Sequence, residues 1–78
     1  MEILSSSLRE RLSILLDIDP VAIGDTTPFA DLGVDSMMRL ELIALVEQYV
    51  GRELPERELN NLGAIDQIIR YVDALSSS

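Results

Sequence analysis

The residues able to do chemistry in this chain are few, and Ser36 is the most pointed of them. It lies in the stretch Asp31 to Met38, DLGVDSMM, between a glycine turn and a long apolar-periodic run. A serine nucleophile needs an adjacent base, normally His or Lys. The sequence has no His, no Cys and no Lys, and its 6 basic residues are all Arg. The same absences remove an imidazole base and zinc or haem sites of the usual kinds. Carboxylates could still bind calcium, but DIDPVAIG from Asp17 lacks the glycine and closing glutamate that an EF-hand loop needs. A small hydrolase acting through Ser36 is therefore remote, and no catalytic or metal-ligating set is expected. A chain so poor in reactive groups acts through something added to it or bound by it.

Composition narrows the partners. The chain has 78 residues, 14 acidic against 6 basic, and a net charge of -8. Such a field repels nucleic acid and anionic membrane surfaces and attracts a partner with a basic patch. No run is long enough for a membrane span, and Ile3-Leu4 after Glu2 is too short for a signal peptide. A cytoplasmic, monomeric protein is the expectation. Hydrophobic residues make up 47% of the chain, with Leu and Ile dominant and only 4% aromatic. That composition favours packed aliphatic helices over a β-sandwich.

The elements that must position Ser36 are read from periodicity. Leu4, Leu8, Leu12, Leu15 and Leu16 mark one face of a first helix starting near Ile3, and Asp19-Pro20 ends the pattern. A long connection follows, Pro20 to Val34. Its Val21, Ile23, Phe29 and Leu32 suggest anchoring to the core, with Phe29 as a core plug. The next helix runs from Ser36 to about Val50 and stops at Gly51. Leu42, Ile43, Val46, Tyr49 and Val50 form its core face. Met37, Leu40 and Ala44 lie on nearly the opposite side among Glu41, Glu47 and Gln48, the pattern of a partner-docking stripe. Leu54-Pro55 opens a short acidic helix closed by Asn60-Asn61 and Gly63. A last helix from about Ala64 to Leu75 carries Ile65, Ile68, Ile69 and Val72 on one face, and residues 76–78 form a frayed end. The fold class expected is all-α: a small four-helix bundle of three main helices and one short one, with a long loop between helices 1 and 2, in a single domain over residues 1–78.

Asp35 and Ser36 both suit a helix N-cap. The serine nevertheless follows Leu32-Gly33, which can turn the chain sharply and leave the hydroxyl on the surface. A helix N-terminus also favours an attached anion such as a phosphate, and the apolar stripe begins at the next residue.

FADLGVDSMMRLELIALVEQ resembles the modification-site segment of acyl carrier proteins, whose signature is Asp-Leu-Gly-x-Asp-Ser-(Leu or Met). The likeness extends over the whole chain: the apolar first helix, the anchored loop, the Glu-Leu-Pro turn and the Tyr-Val ending of the last helix. It implies that Ser36 takes 4'-phosphopantetheine from coenzyme A through a separate phosphopantetheinyl transferase. The cofactor brings the thiol that the chain lacks, and the thiol carries acyl groups as thioesters. By the same resemblance, Asp35 serves transferase recognition, together with the transferase's magnesium ion. Met37, Leu40, Glu41, Ala44, Glu47 and Gln48 form the surface met by partner enzymes: an acyltransferase or acyl-ligase for loading, and a ketosynthase or other synthase enzyme downstream. Val46, Val50, Leu54, Leu59, Leu62 and Ile68 match positions that can shelter an acyl chain, and they read equally as core.

Met38, Arg39 and Gln48 dilute the acidic second helix of fatty-acid carriers, Met37 replaces the commoner leucine, and Gly63 stands where a capping threonine is frequent. These departures lean towards polyketide or related specialised biosynthesis. A fatty-acid carrier is the alternative. A peptidyl carrier ranks lower, because Gly33-Val34-Asp35-Ser36 is not the Gly-Gly-x-Ser of that subclass. The initial methionine and absence of flanking linkers suggest a free-standing carrier. From a different class, an unmodified acidic helical adaptor would share the same fold.

Overall fold

The computed structural model describes the backbone of residues 2–77 and the side chains of residues 3–76. Five α-helices and one 3-10 turn follow one another: α1 Glu2–Leu16, the turn Pro20–Ala22, α2 Phe29–Leu32, α3 Ser36–Val50, α4 Glu56–Asn60 and α5 Ile65–Ser77. Three of the helices are long, and no strand occurs among the described residues, so the all-α fold class holds.

Leu4, Leu8 and Leu12 are fully buried, as their four-residue spacing requires, and Leu15 and Leu16 are half-buried at the end of the same helix. They pack with Leu42 and Val46 of α3 and with Ile65, Ile68 and Val72 of α5 in one continuous aliphatic core. Burial of that apolar surface, rather than helix propensity, is what holds three helices of this length together.

Two boundaries differ from the sequence reading. α1 ends at Leu16, not at Asp19-Pro20, because Asp17 adopts a left-handed conformation with φ 55°. Asp is among the few side chains that tolerate that region. Asp19 then caps the short turn, its carboxylate accepting the Val21 N–H at 2.9 Å. At the other end α5 continues to Ser77, so Ser76 and Ser77 belong to the helix rather than to a frayed tail; Ser78 lies outside the described residues.

The long connection is anchored as expected, and it contains the one-turn helix α2. Phe29 and Ile23 are buried and Leu32 is half-buried, but Val21 is 91% exposed and contributes nothing to the core. Val21 sits on the outer side of the 3-10 turn. Polar bonds complete the anchoring. Arg9 donates from Nε to the Ile23 carbonyl at 2.9 Å and pairs with Asp25. The Phe29 N–H donates to the Gly63 carbonyl at 2.8 Å, and the Asp66 N–H to the Asp25 carbonyl at 2.9 Å. The loop is thereby tied both to α1 and to the start of α5. Gln67 also reaches back to accept the Gly63 N–H at 2.7 Å, a side-chain contact that satisfies a backbone donor ahead of α5 but not the first-turn N–H groups that a hydroxyl residue would cap.

Candidate functional site

The site is built at the junction of α2 and α3. α2 stops at Gly33, whose φ of 82° is a left-handed conformation natural to glycine, and the chain turns at once. Asp35 takes the N-cap of α3. Its Oδ1 accepts the Met38 N–H at 2.8 Å, and its carbonyl accepts the Arg39 N–H at 3.0 Å. The cap is therefore Asp35, which leaves Ser36 as the first residue of the helix. Ser36 is exposed, and its hydroxyl has no hydrogen-bond partner among the described residues. The N–H groups of Ser36 and Met37, in the first turn of a 15-residue helix, have no intrahelical acceptor.

The predicted docking stripe is solvent-facing. Met37 is 72% and Leu40 48% exposed, and Ala44 is exposed. The acidic residues around it are placed differently from one another. Glu41 is exposed but pairs with Arg11 of α1 at 3.0 Å. Glu47 is half-buried, and its Oε2 accepts the Leu54 N–H at 2.7 Å, which ties α3 to the segment leading into α4. Gln48 is exposed on the rim of an open groove of about 390 Å³ between α1 and α3, lined also by Glu10, Ile14 and Leu45.

Tyr49 departs from the sequence reading, which put it on the core face. It is 46% exposed on the rim of that groove. Its helical position lies on the α1 side of Leu42, where the groove is open.

On the opposite flank of α3, Val46, Leu54, Leu59 and Ile68 are buried and Val50 and Leu62 half-buried. Only a pinched void of about 10 Å³ remains among Phe29, Arg39, Leu42, Ile43, Val46, Leu59 and Ile68. Sequence reasoning used Arg39 only as a charge that dilutes the helix. The structure places it at this void, donating from Nη1 to the Leu62 carbonyl at 2.8 Å, with its guanidinium carbon 5.5 Å from the centre of the Phe29 ring. Its spacing of three from Ser36 and four from Ile43 was the available signal.

Among the described residues the scaffold exposes an unpartnered serine at the start of α3, beside an apolar stripe and in a chain of net charge -8, an arrangement open to a group added from elsewhere. Residues 6–72 match the family described as a phosphopantetheine attachment site, and the chain belongs to that family, the phosphopantetheine-binding acyl carriers, whose cofactor is 4'-phosphopantetheine. It is 33% identical over 72 residues to the anthracycline acyl carrier protein DauA of a Streptomyces species, covering 92% of this chain and 80% of that one. It is 30% identical over 69 residues to an acyl carrier protein of Campylobacter hominis, covering 88% and 84%. It is 34% identical over 64 residues to the reducing polyketide synthase AFT16-1 of Alternaria alternata, which covers 82% of this chain. The chain spans only 3% of the length of that synthase.

The residues present fit the cofactor. A phosphodiester on Ser36 would find the first-turn backbone N–H groups and the positive end of a helix dipole, with no side chain of the described residues occupying the hydroxyl. No described helix is long and apolar enough to cross a membrane.

Proposed function

We propose that Ser36 is the attachment residue and that the chain, a single carrier domain over residues 1–78, ferries acyl intermediates of polyketide or related specialised biosynthesis in the cytoplasm. The observation that carries the reading is the exposed Ser36 hydroxyl at the first position of a helix capped by Asp35. When bound, the cofactor supplies a thiol that holds the acyl group as a thioester. The chain's own residues do the rest. Asp35 sets the helix start and offers a carboxylate edge to a transferase and its magnesium ion. Ser36 and Met37 direct backbone N–H groups at the phosphate. The chain has neither the His nor the Lys that normally activates a serine hydroxyl, so that task falls to the separate phosphopantetheinyl transferase.

Delivery uses the stripe Met37, Leu40 and Ala44, bordered by Glu41, Glu47 and Gln48. Its exposure supports a docking role, and the net charge of -8 suits loading and condensing enzymes that present basic patches. Charge of this kind speeds encounter more than it tightens a complex, which suits a shuttle. The polyketide assignment draws on the diluted acidity of α3 and on the likeness to DauA.

The reading is tested by incubating the purified chain with coenzyme A and a broad-specificity transferase. A gain of one phosphopantetheine mass supports the carrier. An unchanged mass with several transferases favours an unmodified adaptor instead. Offering the malonyl-loaded form in parallel to a polyketide ketosynthase and to a fatty-acid ketosynthase then separates the two carriers by which enzyme extends its chain from it.

A further inference from the structure

One charged side chain stands in an otherwise apolar wall. The void between α3 and the α4–α5 region is lined by Phe29, Leu42, Ile43, Val46, Leu59 and Ile68, and Arg39 completes it. At about 10 Å³ it has no room for an acyl chain as it stands, so a chain can enter only if the wall moves. Arg39 is the part of the wall with polar ties: Nη1 to the Leu62 carbonyl at 2.8 Å, and the guanidinium against the Phe29 ring. It appears in none of the ion pairs Arg9–Asp25, Arg11–Glu41 and Arg70–Asp66. Guanidinium carries five N–H donors, and Leu62 accepts from one of its nitrogens. Ser36, Arg39 and Ile43 follow one another at i, i+3 and i+7 along one flank of α3. An arm fixed to Ser36 that folds back towards Ile43 and Val46 passes Arg39 first.

We propose that Arg39 is the specificity-determining residue of this carrier, closing the void to saturated acyl chains and admitting chains that bear a carbonyl oxygen near the thioester. A saturated chain that displaces Arg39 separates it from Leu62 and brings no acceptor beyond the thioester carbonyl that every cargo has, which leaves a charged donor and a carbonyl against hydrocarbon deeper in the void. An oxo group accepts from the freed N–H donors while its alkyl tail lies on Ile43, Val46 and Ile68. The cargo class is thus the 3-oxoacyl group, the immediate product of a condensation between two acyl thioesters. This inference rests on the attachment of the arm at Ser36 and deepens the proposed function.

The test compares octanoyl and 3-oxooctanoyl cargo, read by NMR of the Ile43, Val46, Leu59 and Ile68 methyl groups. Two forms are used: the transferase-modified protein, and Ser36→Cys alkylated with a haloacetamide that carries the same arm and acyl group. The chain has no other thiol, so the second form is loaded uniquely and without any transferase. Failure of modification by coenzyme A would sink the carrier reading, while the alkylated form would still report on Arg39. The expected result is a sheltered population about tenfold larger for the 3-oxo chain, the scale of one hydrogen bond to a charged donor. In Arg39→Met, which keeps the length and loses the donors, the octanoyl chain should move those methyl signals as far as the 3-oxo chain does. Equal shifts from both cargoes in the wild-type chain, or no shift from either, would overturn the proposal. The wild-type comparison decides even if Arg39→Met is poorly folded.

Discussion

Asp35 and Met38 are joined by a hydrogen bond of 2.8 Å from the Met38 N–H to the Asp35 carboxylate, and this bond fixes where α3 begins. It makes Ser36 the first helical residue rather than the cap. The serine hydroxyl is therefore not consumed by capping, and a single acidic residue both starts the helix and flanks the proposed attachment point.

Asp35→Ala should lose the cap and about 1 kcal/mol of stability in urea unfolding. It should also slow modification of Ser36. Asp35→Asn keeps a good capping group and removes the charge, so it should restore stability while modification stays slow. If Asn restores both, the carboxylate matters only as a cap.

Met37→Glu and Leu40→Glu lie on solvent-facing positions of α3 and should change stability by no more than about 0.5 kcal/mol. Delivery of an acyl group to a ketosynthase should fall sharply in both. Val46→Asp should do the reverse of a surface change: Val46 is 1% exposed, and an unpaired carboxylate there should cost about 4 kcal/mol or more and unfold so small a domain. Circular dichroism separates the two outcomes. Loss of helix in the Met37 or Leu40 variants would assign the stripe to the core.

Glu47→Gln and Glu47→Ala address a residue with two candidate roles. The Ala variant leaves the Leu54 N–H without its acceptor and should cost about 1 kcal/mol. The Gln variant keeps an acceptor oxygen and should be nearly as stable as the wild type. A drop in delivery with Gln at unchanged stability would assign Glu47 to partner recognition as well.

Tyr71 donates to the Glu58 carboxylate at 2.8 Å. That hydrogen bond, followed by slight desolvation and the Glu58 charge, raises its pKa above the ordinary 10.0. The folded value lies above the unfolded one, so the tie between α4 and α5 contributes fully below pH 10 and is lost as pH rises through the folded value. In a Tyr49→Phe background, phenolate absorbance should titrate above pH 10 and move down in Glu58→Gln. An unmoved titration would show that the bond does not form in solution.

Most of the frame was legible because it rests on period and punctuation. Leu4, Leu8 and Leu12 announce a buried helical face by spacing alone, and Gly51 ends α3 with φ 87°, as a C-terminal glycine should. The acyl-carrier likeness was legible because DLGVDS concentrates a turn, a cap and a serine in six residues. What was not legible depends on tertiary placement. Val21 and Tyr49 are apolar or aromatic by type, yet one sits on the outside of a 3-10 turn and the other on the rim of the α1–α3 groove. Asp17 ends α1 by a left-handed backbone that no pattern of side chains foretells. Arg39 and Glu47 read as surface charges until the Leu62 carbonyl and the Leu54 N–H are brought to them by the fold.

The central claim is that the arm is attached at Ser36, and peptide mapping after transferase treatment tests it most directly. Cleavage after Arg11 and Arg39 releases a peptide covering residues 12–39, whose only serines are Ser13 and Ser36. Ser13 is buried and its hydroxyl donates to the Glu10 carbonyl at 2.7 Å, so only Ser36 is presented to an enzyme. The account predicts one phosphopantetheine on this peptide, placed at Ser36 by fragmentation and absent from Ser36→Ala. Modification at any other residue, or its persistence in Ser36→Ala, would contradict it.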